Sequence, residues 1–147
     1  MLDTLMKIGA YRVEHFESEF QADPFAFGFY IRGEVTTTDA YSRDAKTQLY
    51  AGLMLIHSKL QMKHLRGIYL DMDYLENLQR PAYVQLKADL INGLFKRVFV
   101  LDESALLGTL EAEKDLHKIY LTVGGFELLV CREGECIPLP LFEKNLS

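Results

Sequence analysis

The chain of 147 residues has few of the features that usually mark a metal centre or a membrane segment. It contains only two cysteines, Cys131 and Cys136, with no second pair to complete a zinc site, so we expect reduced structural thiols. No apolar run reaches the roughly 18 residues that a membrane span needs, and the N-terminus lacks a signal-peptide pattern. We therefore expect a cytoplasmic protein with no membrane partner and no cofactor.

Positive charge is also scarce. The chain has 16 Lys and Arg against 21 Asp and Glu, a net charge of -5, which is the wrong sign for a protein that neutralises phosphates. DNA binding by this chain alone is therefore not expected without a local basic patch. No glycine-rich phosphate loop follows the first predicted strand, and neither G-x-S-x-G nor a Cys/His spacing is present.

The remaining composition is that of one globular domain. With 49% hydrophobic residues, the chain can bury a core. We expect residues 1–24 to form an N-terminal helical extension and residues 25–147 to form a single α/β domain. Asp23-Pro24 punctuates the chain between the two parts.

Strand-like and helix-like segments alternate along the domain. Pro81 suits the first turn of a helix and Gly93 suits a helix exit. Pro138 and Pro140 restrict the last apolar segment to a sheet edge or a tail. Strands are predicted at 25–31, 67–71, 97–101 and 126–131, and helices at 43–64, 81–93 and 110–123. This alternation predicts a three-layer α/β sandwich with a mainly parallel sheet of four to five strands.

In such sheets, functional residues gather at the carboxyl ends of the strands. The segments predicted at these ends are Arg32-Gly33-Glu34, Asp71-Met72-Asp73, Asp102-Glu103-Ser104 and Arg132-Glu133. They include both basic and acidic side chains, so the sequence alone allows either an anion site or a cation site there.

Several short motifs follow one another in a distinctive order. They are Tyr30-Ile31-Arg32-Gly33-Glu34, then Tyr41-Ser42 with Gln48, then Arg80-Pro81 followed by Leu86, Leu90 and Gly93, and finally Ser104-Ala105-Leu106-Leu107-Gly108. In this order, over residues 27–133, the chain resembles the catalytic domain of serine recombinases, the resolvases and invertases. The resemblance implies a resolvase-like fold in which Arg32 and Arg80 converge beside Glu34. The later motif would line the same pocket.

The departures from that family concern its reactive groups. In the family, a serine attacks a DNA phosphodiester and clustered arginines stabilise the developing charge. By position, the serine is replaced by Glu34, and a carboxylate there would repel a phosphate. Two arginines and an aspartate of the later motif are also replaced, so we do not expect strand cleavage or strand exchange. The degenerate site positions are Arg32, Glu34, Arg80, Ser104, Ala105 and Gly108.

The first functional hypothesis is therefore a catalytically inactive, serine-recombinase-like domain. It would serve as a protein-association or regulatory module, or persist as a remnant linked to mobile DNA. Family members continue into a long helix and a DNA-binding domain, for which only residues 136–147 remain here. We expect a homo-oligomer or a protein partner, bound through the sheet edge or the N-terminal extension.

Two other hypotheses rest on charged residues at the strand ends. Glu34, Asp71 and Asp73 weakly resemble the magnesium site of Toprim-type enzymes, and oxygen ligands suit Mg²⁺. The alternative is that the two aspartates are solvated turn residues.

The last hypothesis is a small-anion sensor that uses Arg32 and Arg80, because the guanidinium fork suits phosphate or carboxylate. The alternative is that each arginine pairs with a nearby acid such as Glu34 or Glu76.

Overall fold

The computed structural model describes residues 11–17, 23–33, 44–72 and 79–141. The strands are β1 (Tyr11–His15), β2 (Phe27–Gly33), β3 (Leu65–Met72), β4 (Arg97–Val100), β5 (Glu127–Arg132) and β6 (Glu135–Leu139). The helices are α1 (Asp44–Leu55), α2 (Pro81–Ile91), α3 (Ser104–Leu107) and α4 (Leu110–Val123). A π-helical turn (Ile56–Leu60) and a 3-10 turn (Met62–His64) connect α1 to β3.

The six strands of the described residues belong to one sheet, in the order β1-β3-β2-β4-β5-β6. The four central strands, β3, β2, β4 and β5, are parallel to one another. An antiparallel strand lies at each edge, β1 beside β3 and β6 beside β5. The chain is therefore α/β, as the sequence predicts.

Helices cover both faces of the sheet because the strand residues alternate between two apolar clusters. Phe27, Phe29 and Ile31 lie in the cluster beneath α1. Tyr30 lies in the opposite cluster, which also contains buried residues of α2, α3 and α4. The result is a sheet between two helical layers, and β2 is buried on both sides.

The sheet differs from the prediction in composition and in direction. Instead of a mainly parallel sheet of four to five strands, the described residues form a mixed sheet of six strands. One of the additional strands, β1, forms from residues 11–15, which the sequence analysis assigns to a helical extension. The helical prediction is wrong for these residues, because their side chains alternate between the two faces of the sheet. Val13 packs on the core cluster of one face, whereas Arg12 and Glu14 line a groove with Leu49 and Leu53 of α1 on the other.

The helix ends follow local signals. Pro81 occupies the first turn of α2, and Gly93 beyond its end has a φ of 79°. Thr109 caps α4 by accepting a hydrogen bond from the Ala112 N–H, and Gly124 ends it in the left-handed conformation. These ends agree with the predicted ones to within two residues, whereas the short α3 is not predicted.

Cys131 and Cys136 are directly opposite each other on β5 and β6, and both are free thiols. Within the described ranges, no helix is both long enough and apolar enough to cross a membrane.

Candidate functional site at the carboxyl ends of β2 and β3

Asp71, near the end of β3, is the centre of the candidate site. Its carboxylate accepts hydrogen bonds from the backbone N–H groups of Ala82 and Tyr83, both at 2.9 Å. These groups belong to the first turn of α2, where N–H donors have no partner within the helix. Arg80, at the position that precedes the helix, makes no side-chain capping bond, so Asp71 caps α2 from a neighbouring strand.

Tyr30 adds a third donor to the same carboxylate. Its hydroxyl donates to Asp71 Oδ2 at 2.9 Å, and both side chains are almost fully buried. Burial raises the pKa of the Tyr30 phenol well above its usual value, so the phenol stays protonated and remains a donor. Burial also raises the pKa of Asp71, an effect that the hydrogen bonds from Ala82, Tyr30 and Tyr83 only partly oppose.

Arg80 is enclosed by the same group of residues. Only 1% of its surface is exposed. Its guanidinium carbon lies 5.8 Å from the centre of the Tyr30 ring and 5.1 Å from that of Tyr83, within the range of cation–π attraction. Its Nε lies 3.9 Å from Asp71 Oδ2, which makes a long ion pair. We call Tyr30, Asp71, Arg80 and Tyr83 the Asp71 cluster.

The later motif meets the Asp71 cluster through α3. Arg80 Nη2 donates to the Ala105 carbonyl oxygen at 3.4 Å. Ser104 and Gly108 lie at the two ends of α3 and are exposed, so neither is enclosed with the arginine. The structure therefore brings Arg80 to Ala105 but leaves Ser104 and Gly108 at the surface.

Arg32 lies at the carboxyl end of β2, directly opposite Asp71 in the parallel register with β3. Its backbone carbonyl accepts a hydrogen bond from Gln48 Nε2 of α1 at 3.0 Å. Arg32 is half-buried, in contrast to the enclosed Arg80. Glu34, which the sequence analysis places beside both arginines, lies outside the described residues.

The structure corrects the sequence-based expectations for the acidic residues of the site. Asp71 is buried and capped onto α2, so its assignment as a solvated turn residue is wrong. Among the described residues, Asp71 lies close to Arg80. The predicted partners Glu34 and Glu76 lie outside the described residues, as does Asp73. In the described part of the chain, no three acidic, histidine or cysteine side chains are grouped so that they could hold a metal ion.

A second buried carboxylate, not singled out in the sequence, joins β1 to the rest of the domain. Asp89 Oδ2 accepts from the Tyr69 hydroxyl at 2.5 Å and lies 2.7 Å from His15 Nε2. Gln85 donates to the other oxygen at 2.9 Å. The only sequence signal for this residue is an acidic side chain on the apolar face of α2, one turn after Gln85.

Comparison with known proteins adds no family assignment. The chain matches no protein-family model, and a search of curated proteins finds no significant match.

Proposed function

We propose that the chain is a resolvase-like domain that does not cut DNA and that acts through association with protein. The observation that carries this proposal is the enclosure of Arg80, which is 1% exposed within the Asp71 cluster. A recombinase arginine must approach a DNA phosphate to stabilise the charge on it. An arginine held between two tyrosine rings and a buried carboxylate has a structural role instead.

Two contacts support the resemblance on which the proposal depends. Arg80 donates to Ala105, so two motif segments that are 25 positions apart in the chain meet in space. Gln48 donates to Arg32, which joins two further motif positions. The parallel central strands with helices on both faces also agree with a resolvase-like fold.

Charge and residue chemistry support the loss of catalysis. Ala105 and Gly108 supply no cation, and the net charge of -5 opposes the approach of DNA. The Asp71 carboxylate already accepts two backbone N–H groups and the Tyr30 hydroxyl, which use three of its roughly four lone-pair sites, so little capacity is left for a magnesium ion. For these reasons we prefer the non-catalytic role to the magnesium-dependent alternative.

The cytoplasm is the proposed location. Cytosolic reductants keep thiols reduced, and Cys131 and Cys136 are free although they are opposite each other on adjacent strands.

The test of the proposed function is a supercoiled-plasmid assay with the full chain, with Mg²⁺ and with chelator. We expect no nicked product, no covalent protein–DNA species and no shift of labelled duplex at physiological salt. Nicking that disappears in Arg32→Ala would overturn the proposal. A matched Arg132→Ala variant, which changes an exposed arginine paired with Glu103, controls for contaminating nuclease.

A further inference from the structure

The outer edge of β1 has a backbone and charge pattern that fits a second copy of itself. In the part of the chain that the structure describes, β3 is the only strand that pairs with β1. A strand edge of this kind presents backbone donors and acceptors that can pair with another strand. The five residues Tyr-Arg-Val-Glu-His are the sequence available for that pairing.

The ladder with β3 shows which backbone groups face outward. The Phe16 N–H donates to the Arg66 carbonyl at 2.9 Å, and His15 is opposite Gly67. Residues of an antiparallel pair alternate between bonding to the partner strand and pointing away from it. Arg12, Glu14 and Phe16 therefore bond to β3, whereas the backbone groups of Tyr11, Val13 and His15 point to the outer edge, where no strand of the described residues pairs with them.

The charges select one register for a second copy. If two β1 strands pair antiparallel about Val13, each Arg12 is opposite Glu14 of the second copy, and each Tyr11 is opposite His15. The arginine and glutamate pairs occupy the non-hydrogen-bonded positions, where side chains come closest. Centring the pair on Arg12 or on Glu14 would instead place like charges opposite each other. Within one chain, Arg12 and Glu14 already form an ion pair, so the dimer would contain four alternating charges.

The groove beside β1 extends the same edge. Arg12, Glu14 and Phe16 form one side of an apolar cavity of about 260 Å³, whose floor includes Leu49, Leu53, Ile68 and Leu70. A two-fold axis through Val13, perpendicular to the sheet, keeps the α1 faces of both copies on the same side. The two grooves would then lie next to each other, with the exposed Met54 and Tyr50 of each α1 on that side.

We propose that the chain forms a homodimer by antiparallel pairing of β1 with β1 of a second copy, centred on Val13, so that one sheet continues through both copies. The proposal rests on the proposed function, in which the chain acts by association, and it names the partner and the surface. Such an interface is isologous and closed, because the same residues serve on both sides.

The test compares solution mass, by sedimentation or light scattering over a concentration series, for matched variants. Wild type should have twice the mass of the 16.9 kDa chain. Arg12→Glu and Glu14→Arg should each raise the dissociation constant of the dimer by about tenfold or more, because like charges then face each other. The double variant Arg12→Glu/Glu14→Arg should restore dimerisation. Lys59→Glu makes the same charge change at an ion pair distant from β1, and should leave the mass unchanged.

Val13→Pro is a second, independent variant. It removes an outward N–H while leaving the bonds of Arg12 and Glu14 to β3, and it should give a monomer. If Val13→Pro does not fold, the charge variants alone test whether the dimer forms through β1.

A wild type that is monomeric at all concentrations, or a dimer unaffected by the charge variants, would overturn the inference. Either result leaves the non-catalytic role standing, since that role fails only if the chain nicks DNA.

Discussion

At the scale of single residues, Asp71 stabilises the fold and lies beside the enclosed arginine on which the proposed non-catalytic role rests. Its carboxylate receives two backbone N–H groups of α2 and the Tyr30 hydroxyl, and it lies beside the enclosed Arg80. A charged group with 1% exposure is stable only if its hydrogen-bonding capacity is used. The hydrogen bonds of the Asp71 carboxylate therefore join β3 to β2 and to α2.

Substitution of Asp71 should be among the most damaging single changes in the domain. Asp71→Ala leaves two helix N–H groups without their acceptor and removes the buried carboxylate that lies 3.9 Å from Arg80, so we expect a loss of about 3–5 kcal/mol in unfolding free energy. Asp71→Asn retains an acceptor for α2 and should lose less, about 1–3 kcal/mol. Urea unfolding measures both. An Asp71→Ala protein as stable as an exposed control such as Glu111→Gln would contradict the capping role.

The stability contributed by Asp71 should also depend on pH. Burial raises its folded-state pKa above the ordinary value of 3.8, so the folded state holds the proton more tightly than the unfolded state does. Between those two pKa values, the folded state binds more protons, and its stability falls as pH rises. The unfolding free energy of wild type, relative to that of Asp71→Asn, should therefore be highest below the unfolded pKa and should decrease through this window.

Asp102 provides a control, because its contribution to stability should change with pH in the opposite direction. The backbone N–H of Ser104 lowers the pKa of Asp102, so wild type should gain stability relative to Asp102→Asn as pH rises through the window just below 3.8. If wild type also gained stability relative to Asp71→Asn as pH rises, the hydrogen bonds to the Asp71 carboxylate would have a larger effect on its pKa than its burial, contrary to our prediction.

The sequence predicted the location of Asp71 but not its role. A strand-end aspartate is visible in the sequence, but the helix that it caps begins ten positions later, with Arg80 at the position where a local capping residue would be expected. No local pattern marks a cap supplied by another strand. The sequence also does not show that Arg80 is enclosed, because the enclosure depends on Tyr30 and Tyr83 coming together in the folded domain.

At the scale of elements, β1 changes the interpretation of the N-terminal region. Tyr11, Val13 and His15 alternate with Arg12 and Glu14, a period of two that is typical of a strand. The helical prediction relied on apolar residues spread over the first 20 positions and overlooked this short alternation. The buried central strands and the longer helices were predictable because each carries a continuous apolar run, a periodic face or a marked end.

Amide exchange measured by NMR should distinguish the two edges of β1. The N–H groups of Arg12, Glu14 and Phe16 face β3 and should exchange slowly in every folded variant. Those of Tyr11, Val13 and His15 should exchange slowly in wild type, and rapidly in the Arg12→Glu variant at concentrations where that variant is a monomer. Rapid exchange at these three positions in wild type, at concentrations where the protein is a dimer, would contradict pairing through β1.

At the scale of the whole molecule, the sheet order places the candidate site near a point where strand order reverses. The chain runs from β2 outward to β3 and then returns across β2 to β4, and ligands of open α/β sheets bind in the crevice at such a point. Arg80 and Ala105 meet near this crevice, but their contact belongs to the packed Asp71 cluster. A buried cluster at this point leaves the arginine packed in the core, which is consistent with the proposal of a domain that works through its surface.

The central claim of the proposal is that Arg80 supports the fold and that Arg32 and Arg80 do not hold a phosphate. The most direct measurement is the melting temperature of wild type and Arg32→Ala in phosphate, compared with chloride at equal ionic strength. A ligand that binds only the folded state raises its melting temperature in proportion to occupancy. We predict that phosphate shifts both proteins equally, through its general salt effect. A phosphate-specific rise in wild type that is absent from Arg32→Ala would contradict the claim.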